Sequence, residues 1–330
     1  MYINEFTIDD FQSYLNTQLL DIASPIVAVE SAGEGNMNYT YRLLFDDHPS
    51  IIIKQAPPFC AKFPTIAAPQ QRVGVESVFY ELVNADVDVS TYFPSLLNTD
   101  NDKHIILLED LGRATDFVSL YSGEPLSSKD TNHIVSILNG IHKQKPESPI
   151  DNMGMRELNH AHIFDIPLQQ DNGLDLNDIT QGLAQSAQPL ITDKKYKQLA
   201  YELGQEYLKT GDYLLHGDYY PGSWLKGDSG VAVIDPEFCF TGAVEFDLGN
   251  LLAHMVLSGQ NGQVIDELLT GYKPQHSVHQ DFALMFAGTE IMRRLLGYAQ
   301  LPIECSLKQK ERWLEQSYQL VCNPSVSVLK

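Results

Sequence analysis

The densest chemistry in the chain lies in LLHGDYYPGSWLKGDSGVAVIDPEF, residues 214 to 238. Asp218 follows His216-Gly217 on a turn-rich stretch, DYYPGS, which leaves a carboxylate open to a substrate. Asp235 and Glu237 follow the apolar run Val231 to Ile234. Phosphoryl transfer demands few parts: one carboxylate to take or orient a hydroxyl proton, and others to hold a hard cation against phosphate oxygens. Asp218 suits the first role. Asp235 and Glu237 suit the second, because i, i+2 spacing in an extended segment sends both side chains to one side. Ser223, shortly after Asp218, adds a hydroxyl near the cation. Each acid alone reads equally well as a loop or turn brace. The specific signal is the combination of loop, hairpin-like spacer and acid pair.

Weaker signals precede this block in the order a nucleotide site requires. Gly33, Gly35 and Asn36 lie between two strand candidates, where backbone amides can approach phosphates, although such a pair of glycines also simply makes a turn. Lys54 closes the apolar run Ile51-Ile52-Ile53, and Glu76 stands on the following helix candidate, placed to brace it. Glu109 and Leu111 follow Leu107-Leu108 at the end of another strand, which reads equally well as an ordinary strand-to-helix turn or as a hinge whose backbone groups would bond an adenine were the chain a kinase.

The elements that must carry these residues can be read from periodicity. Thr7 and Asp10 form a capping-box-like start, and Phe11, Tyr14, Leu15 and Leu19 predict a helix over 7–20. Strands are predicted over 26–30, 39–45 and 50–54, a helix over 70–85, and strands over 92–97 and 104–108. The segment 55–69, with four prolines, reads as an irregular loop. Beyond Leu111 the pattern turns helical. Ile134, Ile137, Leu138 and Ile141 mark one amphipathic helix, and others are predicted over 174–190 and 194–209. A strand-and-loop block covers 213–247, and the rest is again mainly helical. This is an α+β chain with a small β-rich lobe, 1–110, and a large, mainly helical lobe, 111–330. With no flexible linker between them, the lobes share one cleft, the usual place for a small ligand.

Composition narrows the partners. A net charge of −21 argues against nucleic acid, which needs a basic footprint, and favours a neutral or cationic small-molecule acceptor over an anionic one. Hydrophobic residues at 43% suffice for an ordinary core, yet no apolar run approaches the ~20 residues of a membrane span. Cys60, Cys239, Cys305 and Cys322 lie far apart, and the N-terminus has no signal-like apolar region, so the expectation is a reducing, cytoplasmic setting with no membrane partner. A homodimer stays open.

The pieces GEGNMNYTYR, IIIKQAPP, QRVGVESVFYELV, ILLEDL, MRELNHAHIFDIPL, LLHGDYYPGS, VIDPEFCFTGAVEFDLGN and GTEIMRRLLGYA resemble, in order over about residues 30 to 300, the aminoglycoside phosphotransferase and choline kinase-like superfamily. Within it they are most similar to the 5-methylthioribose kinases. The resemblance implies a protein-kinase-like two-lobed fold, ATP as donor, Mg2+ as cofactor and a small-molecule hydroxyl as acceptor. By motif it makes Asp218 the catalytic base, Asp235 and Glu237 the metal acids and Lys54 the phosphate-contacting lysine. It also makes Arg293 and Arg294 the arginine pair on a sugar. Tyr219-Tyr220 stands where those kinases carry Leu-His. That departure beside the acceptor leaves a different sugar, an aminoglycoside or a choline-like amino alcohol as alternatives. A non-catalytic nucleotide-binding module is the rival of another class.

From spacing alone the arginines differ. Met285, Met292, Leu295, Leu296 and Ala299 form one apolar face, with Arg293 near its edge and Arg294 pointing away. His142 reads as a packed helix end, His160 and His162 as unsuited to a shared metal, and His216 as a brace for the Asp218 loop.

Overall fold

The computed structural model describes residues 2–18, 20, 22–33, 35, 37–227 and 230–330. Asn36 lies outside the described residues, as does Leu19.

The N-terminal part holds α1 (Ile8–Leu15), β1 (Ile26–Ser31), β2 (Tyr39–Phe45), β3 (Ile51–Gln55), a short hairpin of β4 (Phe59–Cys60) and β5 (Phe63–Ala67), α2 (Arg72–Ala85), β6 (Leu96–Asp100) and β7 (Ile105–Glu109). Strands β1, β2, β3, β7 and β6, in that spatial order, make one antiparallel sheet. Strand alternation gives this sheet two faces. Ile51, Ile53, Ile105 and Leu107 pack beneath α1 with Phe11, Tyr14 and Leu15. Each such side chain is worth about 1.5–3 kcal/mol on burial. Their neighbours Ile106 and Leu108 face the opposite way, onto α2, and join the large core that continues into the C-terminal part. Lys54, paired with Ile106 across the ladder, shares that second face. The strand pattern therefore delivers a lysine to the cleft.

Three differences from the sequence reading are local. The strand expected over 92–97 starts only at Leu96, because Ser90–Tyr92 make a helical turn and Pro94 precedes it. Helix α1 stops at Leu15, where Thr17 turns its hydroxyl onto the Tyr14 carbonyl. The proline-rich 55–69 segment contains the β4–β5 hairpin, whose two-residue first strand is too short to leave a period.

The C-terminal part contains β8 (Thr115–Asp116), α3 (Ser128–Ile141), α4 (Met153–His160) running on into a π-turn over Ala161–Asp165, α5 (Leu176–Ile179), α6 (Leu183–Thr192), α7 (Lys194–Tyr207), β9 (Tyr213–Leu215), β10 (Trp224–Gly227), β11 (Gly230–Val233), β12 (Phe240–Gly242), α8 (Glu245–Leu257), α9 (Gly262–Gly271), α10 (Gln280–Leu296) and α11 (Leu307–Cys322). The expected 174–190 helix is two helices, α5 and α6, broken at Gly182 (φ 91°). Helix α10 packs on both α8 and α11. It approaches α8 so closely that a Cβ on Gly249 would lie 2.5 Å from Phe286 Cβ and 2.7 Å from the Ala283 carbonyl oxygen. Among the described residues no helix is long and apolar enough to cross a membrane.

Candidate active site

Strand β9 ends at Leu215, and the chain turns through His216, Gly217 and Asp218. Gly217 has φ 82°, and a Cβ there would fall 2.1 Å from the Phe238 carbonyl oxygen, so only glycine fits. Asp247, in the first turn of α8, grips the loop. Its two carboxylate oxygens accept the amides of His216 at 2.6 Å and Gly217 at 2.9 Å. His142 adds Nε2 to the same carboxylate at 3.3 Å and Nδ1 to the Tyr272 hydroxyl, which makes it a packed helix end. His216 Nε2 donates to the Ile234 carbonyl at 3.0 Å, and its Nδ1 accepts the Asp218 amide at 3.3 Å, the brace expected from sequence. Ser223 Oγ donates to the Asp218 carbonyl at 2.9 Å. Together these bonds fix the backbone and leave the Asp218 carboxylate to face the cleft, its side chain 24% exposed.

On the other side of the cleft, Lys54 Nζ donates to Glu76 Oε1 at 2.8 Å and contacts Asp235. Asp235 adopts φ 67°, a left-handed conformation uncommon outside glycine, with its N–H donated to the Tyr80 hydroxyl at 3.2 Å. That backbone is not extended, so the i, i+2 argument does not apply, and Asp235 and Glu237 take different surroundings. Asp235 is 42% exposed to the cleft. Glu237 is buried, accepting Asn38 Nδ2 at 2.7 Å with Arg72 Nε at 3.4 Å. Arg72 is fully buried and also donates to the Met37, Pro57 and Pro69 carbonyls and to Asn38 Oδ1, tying the end of the glycine loop to Glu237.

The charges record this crowding. Burial pushes Glu76 up to about 7, against the pull of Lys54. Burial and then the neighbouring Asp235 raise Glu237. Burial would lower Lys54, but Asp235, Glu76 and Glu237 together hold it well above its ordinary range. Among the described residues no three acids or other ligands are gathered into a ready metal site, and Glu76 and Glu237 are already paired with Lys54, Asn38 and Arg72. Asp235 is the acid left open, a hard oxygen donor whose magnesium ion would take most of its remaining ligands from phosphates and water.

A third group surrounds Asp218 from α10 and α8. Arg294 Nη2 stands 3.6 Å from Asp218 Oδ1, and the Arg294 guanidinium lies 4.9 Å over the Tyr220 ring. Arg293 and Arg294 are both buried. The helical-wheel expectation that Arg294 points away is thus wrong, because α10 is buried on every side from Phe286 to Leu296 and has no solvent face there. Glu290 binds both arginines. Burial raises Asp218 to about 6, with Arg294 and Arg293 opposing and Glu290 and Asp235 assisting. Tyr219 does not join the group. Its ring is fully buried, and its hydroxyl donates to the Ile134 carbonyl at 2.7 Å.

Gly33 (φ 82°) and Gly35 line an open cavity with Asn38, Thr40 and Lys62 between the glycine loop and the β4–β5 hairpin. The exposed Glu109 side chain accepts from Ser95 N and Oγ, away from any role for its backbone. Next to it, Asp110 receives two bonds from Arg42 and one from Ser50, which fixes the connection ahead of Leu111.

Residues 29–283 match the phosphotransferase enzyme family. The chain belongs to that family. Among curated relatives, methylthioribose kinase of Bacillus cereus (strain AH820) is 30% identical over 246 residues, 70% of this chain and 61% of the relative. The methylthioribose kinase of Bacillus mycoides (strain KBAB4) is 29% identical over the same shares. The matched region thus spans less than two thirds of these relatives. Among solved structures, a choline/ethanolamine kinase family protein from Mesorhizobium loti superposes with TM-score 0.58 at 14% identity, covering 97% of each chain. A spectinomycin phosphotransferase solved with ADP and spectinomycin gives 0.54 at 15% identity, covering 98% of each. The family membership and the two-lobed, protein-kinase-like α+β fold agree with the expectation from sequence.

Asp247, Arg72, Asp110 and Glu290 are the functional neighbours that sequence reasoning did not single out. All four lie within or beside the motif pieces that carry the family resemblance. The partners of Asp247, and Arg42 and Ser50 that bond Asp110, are distant in sequence, whereas Glu290 meets Arg293 and Arg294 at i+3 and i+4, a helical spacing the sequence does display.

Proposed function

We propose that the chain transfers the γ-phosphoryl group of ATP to a hydroxyl of a small neutral sugar of the 5-methylthioribose type. The observation that carries this reading is a geometric convergence: Lys54 of the N-terminal sheet pairs with Asp235, and the His216 ring bonds both the Ile234 carbonyl next to Asp235 and the Asp218 amide. In this reading Asp218 orients the acceptor hydroxyl and takes its proton. Lys54, braced by Glu76, steadies the donor phosphates. The backbone at Gly33 and Gly35 covers them, and the backbone at Glu109 and Leu111 bonds the adenine. Asp235 and Glu237, with Ser223, would hold magnesium, which supplies neutralisation of phosphate charge when bound. The N-terminal lobe, 1–110, closes on the nucleotide, and 111–330 carries the acceptor.

The acceptor class follows from local charge. Arg293 and Arg294 stand beside Asp218 with Glu290 as their shared counter-ion, a poor setting for a polycationic aminoglycoside. The Tyr220 face that would attract a quaternary ammonium is occupied by the Arg294 guanidinium. The net charge of −21 does not reverse this, because surface charge is screened beyond about 8–10 Å.

Magnesium-dependent ATP consumption, measured with 5-methylthioribose, an aminoglycoside and choline, tests the proposal. Turnover is expected with the thiosugar. Faster turnover with either cation overturns the acceptor class. Nucleotide binding with no turnover on any of them favours the non-catalytic module.

A further inference from the structure

Glu290, so far only the counter-ion of two arginines, is a buried carboxylate with three hydrogen bonds. Its Oε1 accepts Arg294 Nε at 2.5 Å and His254 Nε2 at 3.2 Å, and its Oε2 accepts Arg293 Nη1 at 3.1 Å. His254, on α8, in turn meets the Tyr121 hydroxyl through Nδ1 at 2.5 Å. Three elements thus converge on one side chain: α10, α8 and the turn that carries Tyr121. Arg293 is held through Nη1, whereas Arg294 is held through Nε by Glu290 and through Nη1 by the Ala299 carbonyl at 3.3 Å. Among the described residues, Arg294 Nη2, the atom facing Asp218, and Arg293 Nε have no hydrogen-bond partner.

We propose that Glu290 is the positioning residue of the acceptor site, fixing Arg293 and Arg294 together so that their remaining N–H groups are presented beside Asp218, with His254 and Tyr121 locking Glu290 in turn. The inference rests on the kinase reading and deepens it. Glu290 is well suited to the task as an anion. Burial opposes its charge, but Arg293, Arg294 and His254 outweigh burial and hold it well below the usual carboxylate range. His254 is kept neutral, pushed down to about 4 chiefly by burial. A neutral imidazole donating from Nε2 to a carboxylate must accept at Nδ1, so the Tyr121 hydroxyl is the donor there. The chain of bonds has one consistent direction, Tyr121 to His254 to Glu290, and it leaves no alternative tautomer.

The arrangement predicts an asymmetric failure. In Glu290→Gln, the single amide oxygen can keep Arg294 and His254, but the amide N–H₂ then faces Arg293 Nη1, donor against donor. The acceptor KM should rise by about 10-fold or more, the effect of leaving a buried donor unpaired, while the ATP KM stays within about twofold. His254→Leu removes the other support and should move the acceptor KM in the same direction. His254→Gln places an amide donor near the Nε2 position and should return it toward wild type. This His254 pair decides the matter if Glu290→Gln does not fold. Steady-state kinetics with 5-methylthioribose and ATP provide the readout. Equal losses for both substrates, or an acceptor KM unchanged in both Glu290→Gln and His254→Leu, overturn the positioning role while leaving the kinase reading intact. A wild-type chain that turns over no acceptor overturns the kinase reading, and this inference with it.

Discussion

The two walls of the cleft are built on different charge plans. The wall around Lys54 gathers Glu76, Asp235 and Glu237 against Lys54 and Arg72, an excess of carboxyl groups of which burial pushes Glu76 up to about 7 and Glu237 up to about 8. The wall around Asp218 sets Arg293 and Arg294 against Glu290 and Asp218, with no such excess. The first suits a partner that brings a further cation with its phosphates. The second suits a partner that brings none. The walls also differ in construction. The first joins elements far apart in sequence, β3, α2 and the segment after β11, so it depends on the two parts of the molecule being docked. The second lies wholly within the C-terminal part and depends on how tightly α8 and α10 approach.

The comparison can be broken most forcefully at Asp218. Asp218→Asn should reduce turnover by ~10²–10⁴-fold, the usual worth of a positioned base, without loosening a non-hydrolysable ATP analogue. Comparable loss of nucleotide binding would merge the two walls into one. In the unaltered enzyme, a base raised to about 6 makes kcat/KM fall on the acid side of about pH 6.

Much of the first wall was legible because strand alternation and motif order survive without a partner. Lys54 closes an apolar strand, and Glu76 follows on a helix. Glu237 was legible as an acid but not as a neighbour, since Asp235 sits at φ 67° where an extended backbone had been assumed. The second wall was less legible. A helical wheel presumes one apolar face, and α10 is buried all round from Phe286 to Leu296, so Arg294 was assigned to a solvent that is not there. Asp247 and Arg72 meet partners brought together only by folding, which a sequence taken alone does not show; Glu290 stands three and four residues before Arg293 and Arg294, so that pairing was legible as helical spacing, while its bond to His254 was not. Tyr219 and Tyr220 are adjacent in sequence yet diverge, one sealed against α3 and the other stacked under Arg294.

The next effect is on the loop common to both walls. Gly217→Ala should cost roughly 2–4 kcal/mol of stability in denaturant unfolding, combining a positive φ with a collision at the Phe238 carbonyl. A neutral result would mean that the loop can rearrange and that Asp247 does not fix it.

A smaller effect runs in the stabilising direction. Asp218 goes from 3.8 unfolded to about 6 folded, so the folded chain binds the extra proton between these values, and stability falls as pH rises through them. The charged form therefore costs up to about 3 kcal/mol above pH 6 and nothing below about pH 4. Asp218→Asn should melt higher than wild type at pH 8 and converge with it in acid, as thermal unfolding across pH would show. The smallest effect belongs to Glu109→Ala. That side chain is exposed and bonded only to Ser95, so ATP KM should stay within about twofold and stability within about 0.5 kcal/mol.

Calorimetric titration of the magnesium complex of a non-hydrolysable ATP analogue into Lys54→Met and Asp218→Asn tests the division of labour most directly. The account predicts that Lys54→Met binds about 10-fold or more weakly, from losing a charged hydrogen-bond donor, and that Asp218→Asn binds like wild type. Equal affinity in both variants, or weakening confined to Asp218→Asn, would contradict it.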